Sequence, residues 1–234
     1  MKTLGLLTLL LLLSACWLIR KPRVWEVDEL AQRGGTLVAL WNYNDDSLYV
    51  KMQTIQKLRE AHERITGGVG LGTRLIIIPG DEPNAYATFA WWEGKRVIAI
   101  NTGMLMIVGD DIGEYAALLC HEAAHWVKGH VEWGLVRWTT LQAIGAAIDT
   151  AVKIPLGGFA GDVVDRYFSR EDEREADSLS VSCMAANGYE PRAAVRLWEK
   201  LLTLNVDTNL TFLKTHPSWE ERIENLKRLI KAQP

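Results

Sequence analysis

His121-Glu122-Ala123-Ala124-His125 sets two imidazoles four residues apart, with a carboxylate directly after the first. The surrounding stretch is rich in Ala and Leu, with no proline and no glycine between 114 and 128, so the spacing predicts a helix over 113–130. Asp111 followed by Glu114 reads as a capping box at its start, and Gly129 marks its end. Four residues along a helix turn a side chain by about 40° in net terms, so His121 and His125 share one face and can ligate one ion. Glu122 is rotated by about 100° from His121, which sets it beside such an ion as a general base for water. Two neutral imidazoles and a neighbouring carboxylate are the chemistry of a hydrolytic zinc site.

The pattern is short enough to arise by chance, so a third ligand decides its meaning. A His six residues after His125 would supply one, but that position is Val131, and His130 falls one residue early. Glu173-Arg174-Glu175-Ala176-Asp177 offers the other solution. On a helix over 167–187, Glu173 and Asp177 share a face, so Glu173 can complete the site while Asp177 orients a ligand imidazole through its second nitrogen. Taken alone, the same acidic cluster would read as a solvated helix face.

These elements need a scaffold. The chain has 234 residues, 48% of them hydrophobic, enough for one domain with a sizeable core. Its net charge of −3 and lack of a basic stripe argue against nucleic acid as a partner. The expected class is α+β and mostly helical, with a small β-sheet or hairpin beside the metal helix. A buried strand is expected over 74–79 and a hairpin from Asn84-Ala85-Tyr86-Ala87 to Asn101, whose first strand either accepts a substrate backbone or merely packs on the metal helix. Helices are expected over 47–65, 191–204 and 219–231, the last capped by Ser218, with His62 as a surface residue. Residues 36–41 read as a strand or an extended lead-in, and 131–164 as a helical hairpin or a cover over the cleft.

The N-terminus reads separately. Lys2, the leucine-rich run 4–13 and Leu13-Ser14-Ala15-Cys16 fit a signal peptide (1–15) with a lipobox, Cys16 being the lipidation site. An uncleaved anchor is the alternative, and Arg20, Lys21 and Arg23 would orient it with the body inside. Residues 16–45 are then a lipidated N-terminus and linker, and 46–234 the catalytic domain. Trp17, after the lipidated cysteine, points to the outer membrane and a periplasmic location by resemblance to lipoproteins of enteric-type bacteria. Cys120 and Cys183 are expected as free thiols, because a helix rise of about 15 Å separates Cys183 from Glu173.

Together, His121-Glu122-Ala123-Ala124-His125 with His130, the 173–177 run, the 84–87 strand and Thr215-His216-Pro217 resemble the HtpX and CAAX-prenyl-endopeptidase superfamily of zinc metallopeptidases. Within it they look most like the soluble bacterial lipoprotein branch that includes LoiP and BepA. The resemblance implies a zincin-like domain and one zinc ion held by His121, His125 and Glu173. It implies Glu122 as base, His216 as an oxyanion stabiliser or a regulator of access, and residues 84–87 as the substrate strand. It also implies envelope protein quality control, with unfolded or misassembled envelope polypeptides as substrates. A chaperone or binding module for outer-membrane proteins, its zinc site latent, is the alternative.

Overall fold

The computed structural model describes residues 24–90, 94–133, 168–208, 216 and 219–232. The leader, Trp91 and Trp92, residues 134–164, Thr215, Pro217 and Ser218 lie outside the described residues, and so do the expectations that fall on them.

Alternating and apolar runs build a four-stranded sheet in the order β1 (Trp25–Glu26), β4 (Thr73–Ile78), β6 (Lys95–Asn101), β5 (Ala85–Ala90). β4 runs parallel to β6, and its Ile76 and Ile77 are buried, as the apolar run requires. β5 and β6 form the expected antiparallel hairpin, in the register Ala87 opposite Ile98. Because β5 lies at the end of the order, its outer side has no strand partner among the described residues. A second, two-stranded sheet pairs β2 (Leu37–Trp41) with β3 (Ser47–Lys51).

Between and after the strands come α1 (Val27–Ala31), α2 (Met52–Gly68), α3 (Thr102–Val108), α4 (Ile112–Val127), α5 (Arg170–Ala186), α6 (Arg192–Thr208) and α7 (Trp219–Lys231). The fold is α+β and mostly helical. α4 is the central element. It packs on α2, α5 and α6 and on strand β5, and all its residues from Glu114 to Trp126 are buried. A helix apolar on every side belongs in a core, which explains why the histidine motif ends up far from bulk water.

Asp111 caps α4 by accepting from the backbone N–H groups of Gly113 and Glu114. Glu114 does not return the favour: it is buried and ion-paired with Lys200 of α6 at 2.6 Å. Gly129 ends the segment with φ +72°, in the left-handed region where glycine is tolerated. α5 begins at a complete capping box between Ser169 and Asp172.

Four expectations are corrected here. Ser47–Lys51 is a strand rather than a first helical turn; its alternation, Leu48 and Val50 inward with Tyr49 outward, has the period of a sheet. Residues 24–45 are no linker, because Val27, Leu30 and Leu40 are fully buried in the main core. Cys120 and Cys183 are joined in a disulfide, with Cα atoms 5.9 Å apart. The distance argument against this bond took Glu173 as the single point of contact between the two helices, but they also meet farther along. Asp177 is the residue beside His121 (3.2 Å), and from there Cys183 is only about 9 Å of helix rise away.

His62, expected at the surface, is 6% exposed and hydrogen-bonded to Thr73 Oγ1 at 2.9 Å. Burial lowers its pKa from 6.5 to about 4, against the opposing pull of Asp28. The native state thus keeps His62 neutral where the unfolded chain binds a proton, so stability is full above pH 6.5 and falls as pH drops towards 4. In urea titrations across that window the wild type should lose about 3 kcal/mol more than His62→Gln. Parallel curves for the two proteins would show that His62 does not titrate this way.

Candidate metal centre

α4 and α5 cross so that His121 and His125 of the first face Glu173 and Asp177 of the second. His121 Nε2 and His125 Nε2 lie 3.1 Å apart, and each lies 3.4 Å from an oxygen of Glu173. Zinc held tetrahedrally at about 2.0–2.1 Å requires roughly 3.3 Å between donor atoms. The three separations are close to that requirement, with His121 meeting Oε2 of Glu173 and His125 meeting Oε1. With His216, the donor atoms all fall within 4.8 Å of one another, on fully or almost fully buried residues.

The outer nitrogens of both imidazoles are held. His121 Nδ1 is 3.2 Å from Asp177 Oδ1, so it donates there and turns Nε2 towards the cluster. His125 Nδ1 lies 3.0 Å from His130 Nδ1, and with His125 as the donor its Nε2 also faces the cluster as an acceptor. Phe168 stacks on the His125 ring at 3.7 Å between centroids. Trp198 meets His121 edge-on at 5.5 Å. Each ring is therefore fixed both in plane and in rotation.

Glu122 is fully buried, and neither of its oxygens has a hydrogen-bond donor in good geometry. Burial pushes its carboxyl up, with His216 and His121 opposing; the nearby backbone of Ala87 on β5 also opposes. Glu173 Oε2 likewise lacks a donor in good geometry. Buried carboxylate oxygens left this way are costly unless a further group satisfies them, and a cation with its water does so.

The electrostatics are strongly polarised. Burial and Arg222 disfavour charge on His121, but hydrogen bonds to Asp177 and Glu173 outweigh them and raise its pKa to about 9. His125 moves the other way, lowered by burial to about 3 despite Glu173. Glu173 is held well below the usual carboxylate range; burial opposes this, and Arg222 and His216 overcome it. Glu173, ionised, and His125, neutral, are thus in the forms that bind a metal, whereas His121 must give up a proton to do so.

Sequence reasoning overlooked Arg222. It is 1% exposed and forks onto Asp177 at 2.7 and 2.8 Å. Its Nη1 lies 2.7 Å from Glu173 Oε2, an ion pair outside hydrogen-bond angles. Trp219 and Trp198 flank its guanidinium at 4.4 and 5.3 Å. A signal was present: Arg222 falls three residues after Trp219 and next to Ile223 on the buried stripe of α7, where an unpaired charge cannot stay.

His216 is brought into the cluster, its Nδ1 2.9 Å from Glu173 Oε1 and its Nε2 3.9 Å from Glu122 Oε1. The 84–87 stretch is placed beside α4, joined to it through Phe89 packing edge-on against Trp126 at 4.7 Å. Asn84 and Ala85 are almost fully buried. Asn84 is tied up internally: its N–H donates to Asn101 Oδ1 and its own Oδ1 accepts from Ala85 N–H. Tyr86 is half-buried, and Ala87 is the residue whose backbone nears Glu122.

The profile of Peptidase family M48 matches residues 53–230, which contain every residue of this cluster. The chain belongs to peptidase family M48. Its similarity extends to the mitochondrial metalloendopeptidase OMA1 of Arabidopsis thaliana, 29% identical over 83% of this chain and 40% of that protein. Metalloprotease LoiP of Escherichia coli is 26% identical over 58% of this chain and 56% of LoiP. Protease HtpX of a Psychrobacter species is 24% identical over 67% of this chain and 64% of HtpX. The chain thus spans about half the length of the relatives it matches. M48 metalloproteases use zinc, and the His121, His125, Glu173 and His216 cluster is compatible with that ion. Among the described residues no helix is long and apolar enough to cross a membrane.

Proposed function

We propose that this chain is a zinc-dependent endopeptidase of the bacterial cell envelope that hydrolyses peptide bonds in misfolded or unassembled envelope proteins. In this reading it is anchored at the outer membrane through lipid on Cys16 and faces the periplasm. The observation that carries the catalytic part is the convergence of His121, His125 and Glu173 at zinc-ligand spacing, next to the buried carboxylate of Glu122. Similarity to the metalloproteases LoiP and YcaL of Escherichia coli supports a bacterial setting, while the OMA1 relatives are mitochondrial.

His121, His125 and Glu173 would hold the ion, with Asp177 and His130 fixing the imidazoles. Zinc supplies Lewis acidity there, polarising the scissile carbonyl and acidifying a water. Glu122 takes the proton of the attacking water and returns it to the leaving amine, a transfer helped by a carboxyl pKa already raised by burial. β5, whose outer side pairs with no strand among the described residues, accepts the substrate as an added strand and so lays the scissile bond along α4 beside Glu122. His216 lies close enough to both carboxylates to steady the developing oxyanion or to occupy the space until substrate arrives.

The burial of every donor favours a second reading. With His121, His125 and Glu173 at 0% exposure and His216 at 2%, the site is closed, as expected of a binding module whose zinc site is latent. Activity decides between the two. Zinc-loaded protein should cleave a reduced, unfolded polypeptide, lose that activity with 1,10-phenanthroline, and regain it when zinc is restored. Zinc-loaded protein that binds such polypeptides without cutting them would favour the module.

A further inference from the structure

The β2–β3 hairpin buries one face and shows an aromatic one. Val38, Leu40 and Val50 point into the core, at 5%, 0% and 8% exposure. The register then turns Leu37, Ala39 and Trp41 outward together with Ser47, Tyr49 and Lys51. Leu37 is 56% exposed, Trp41 37% and Tyr49 65%, while Tyr43 in the connecting turn is 72% exposed. Half of the large apolar side chains exposed among the described residues thus belong to this one hairpin. Trp25 extends the surface by stacking on Trp41, with ring centroids 6.0 Å apart. The only charge on the outward strand positions is Lys51, at the far end and ion-paired with Asp110. Clustered exposed Trp, Tyr and Leu side chains, unlike ones scattered singly, mark a surface that contacts something other than water.

The sequence shows what lies next to it. The apolar run from Leu4 to Ile19 stops six residues before Trp25, and Cys16 is nine residues before it. Even fully extended, such segments reach only about 20 and 30 Å. Trp25 begins the first described strand and is part of the aromatic surface. A tether this short confines the hairpin near the bilayer at an effective concentration on the order of millimolar, so weak contacts suffice to hold it there. Trp and Tyr, each with an apolar body and a polar tip, are the side chains that settle at the headgroup level.

We infer that the outward face of the β2–β3 hairpin, with Trp25, docks the domain on the lipid interface of the membrane that holds its N-terminus. This rests on the envelope tether proposed above. Docking through this face gives the catalytic domain one fixed orientation on the membrane, where a tether alone would let it tumble.

Brominated-lipid quenching tests this on the full chain, carrying Trp17→Phe to silence the leader, reconstituted in phosphatidylethanolamine and phosphatidylglycerol vesicles. The expected result is co-flotation with vesicles and tryptophan emission roughly a fifth lower in brominated than in ordinary lipid. Trp25→Phe with Trp41→Phe should remove that loss, and Leu37→Ser with Tyr49→Ser should weaken it while thermal melts stay unchanged. Protein that floats but shows no quenching from Trp25 and Trp41 overturns the docking while leaving the tether intact. Protein that does not float overturns the tether and the docking with it. Should Leu37→Ser with Tyr49→Ser instead reduce binding of an unfolded polypeptide, with no quenching in the parent, the face serves polypeptides and the inference is wrong.

Discussion

Glu122→Gln should keep zinc at one ion per chain and lower cleavage of an unfolded polypeptide by about 10²–10⁴-fold. The substitution keeps the shape of the side chain while removing its ability to take a proton. Glu122 touches none of the donors at ligand distance, its nearest ion-pair contact being His216 at 3.9 Å, so the metal should not notice the change. Glutamine also removes a buried charge whose oxygens meet no donor in good geometry, and the folded protein should be no less stable. Measuring zinc content, melting temperature and turnover on the same preparation separates the possibilities. Undiminished turnover would remove Glu122 from the chemistry, and loss of zinc would make it a ligand.

Arg222→Gln should be among the most damaging substitutions outside the histidine motif. It leaves Glu173 and Asp177 buried at 0% exposure without their cation, and breaking a buried pair in this way costs about 3–5 kcal/mol. For a domain of this size the melting temperature should fall by roughly 10 °C. The damage should also reach the metal: Asp177 loses the fork that holds it against His121, so a chelator should strip zinc faster from the variant. Arg222→Lys keeps the charge without the two-pronged geometry, and should recover part of the stability but less of the zinc retention. A variant that melts within about 2 °C of wild type, with zinc held as tightly, would show that Arg222 fills space and no more.

The chemistry of the site was more legible in the chain than its surroundings. Four-residue periodicity on an Ala- and Leu-rich run is a local property, so His121, Glu122 and His125 could be placed on one helix from spacing alone. The same holds for Glu173 and Asp177 on α5, and for the β5–β6 hairpin, where alternation and a short turn suffice. What stayed hidden depends on contacts between distant segments. Ser47–Lys51 becomes a strand because Leu37–Trp41 pairs with it, and Leu48 fitted the helical period of α2 well enough to mask the boundary. His62 is buried and meets Thr73, at the start of β4, eleven residues on. The disulfide depends on where α4 and α5 cross, which no single-helix rise determines. Arg222 was visible only as an oddity, a guanidinium on an apolar stripe. Its explanation lies 45 residues away in Asp177.

The direct test is the position of the ion itself. Anomalous diffraction at the zinc edge, on crystals of zinc-loaded Glu122→Gln protein, should give one strong peak per chain about 2.0–2.1 Å from His121 Nε2 and His125 Nε2, with a Glu173 oxygen at about the same distance. A peak bound elsewhere, or none while all three side chains remain in place, would contradict the metal centre and the hydrolase built on it.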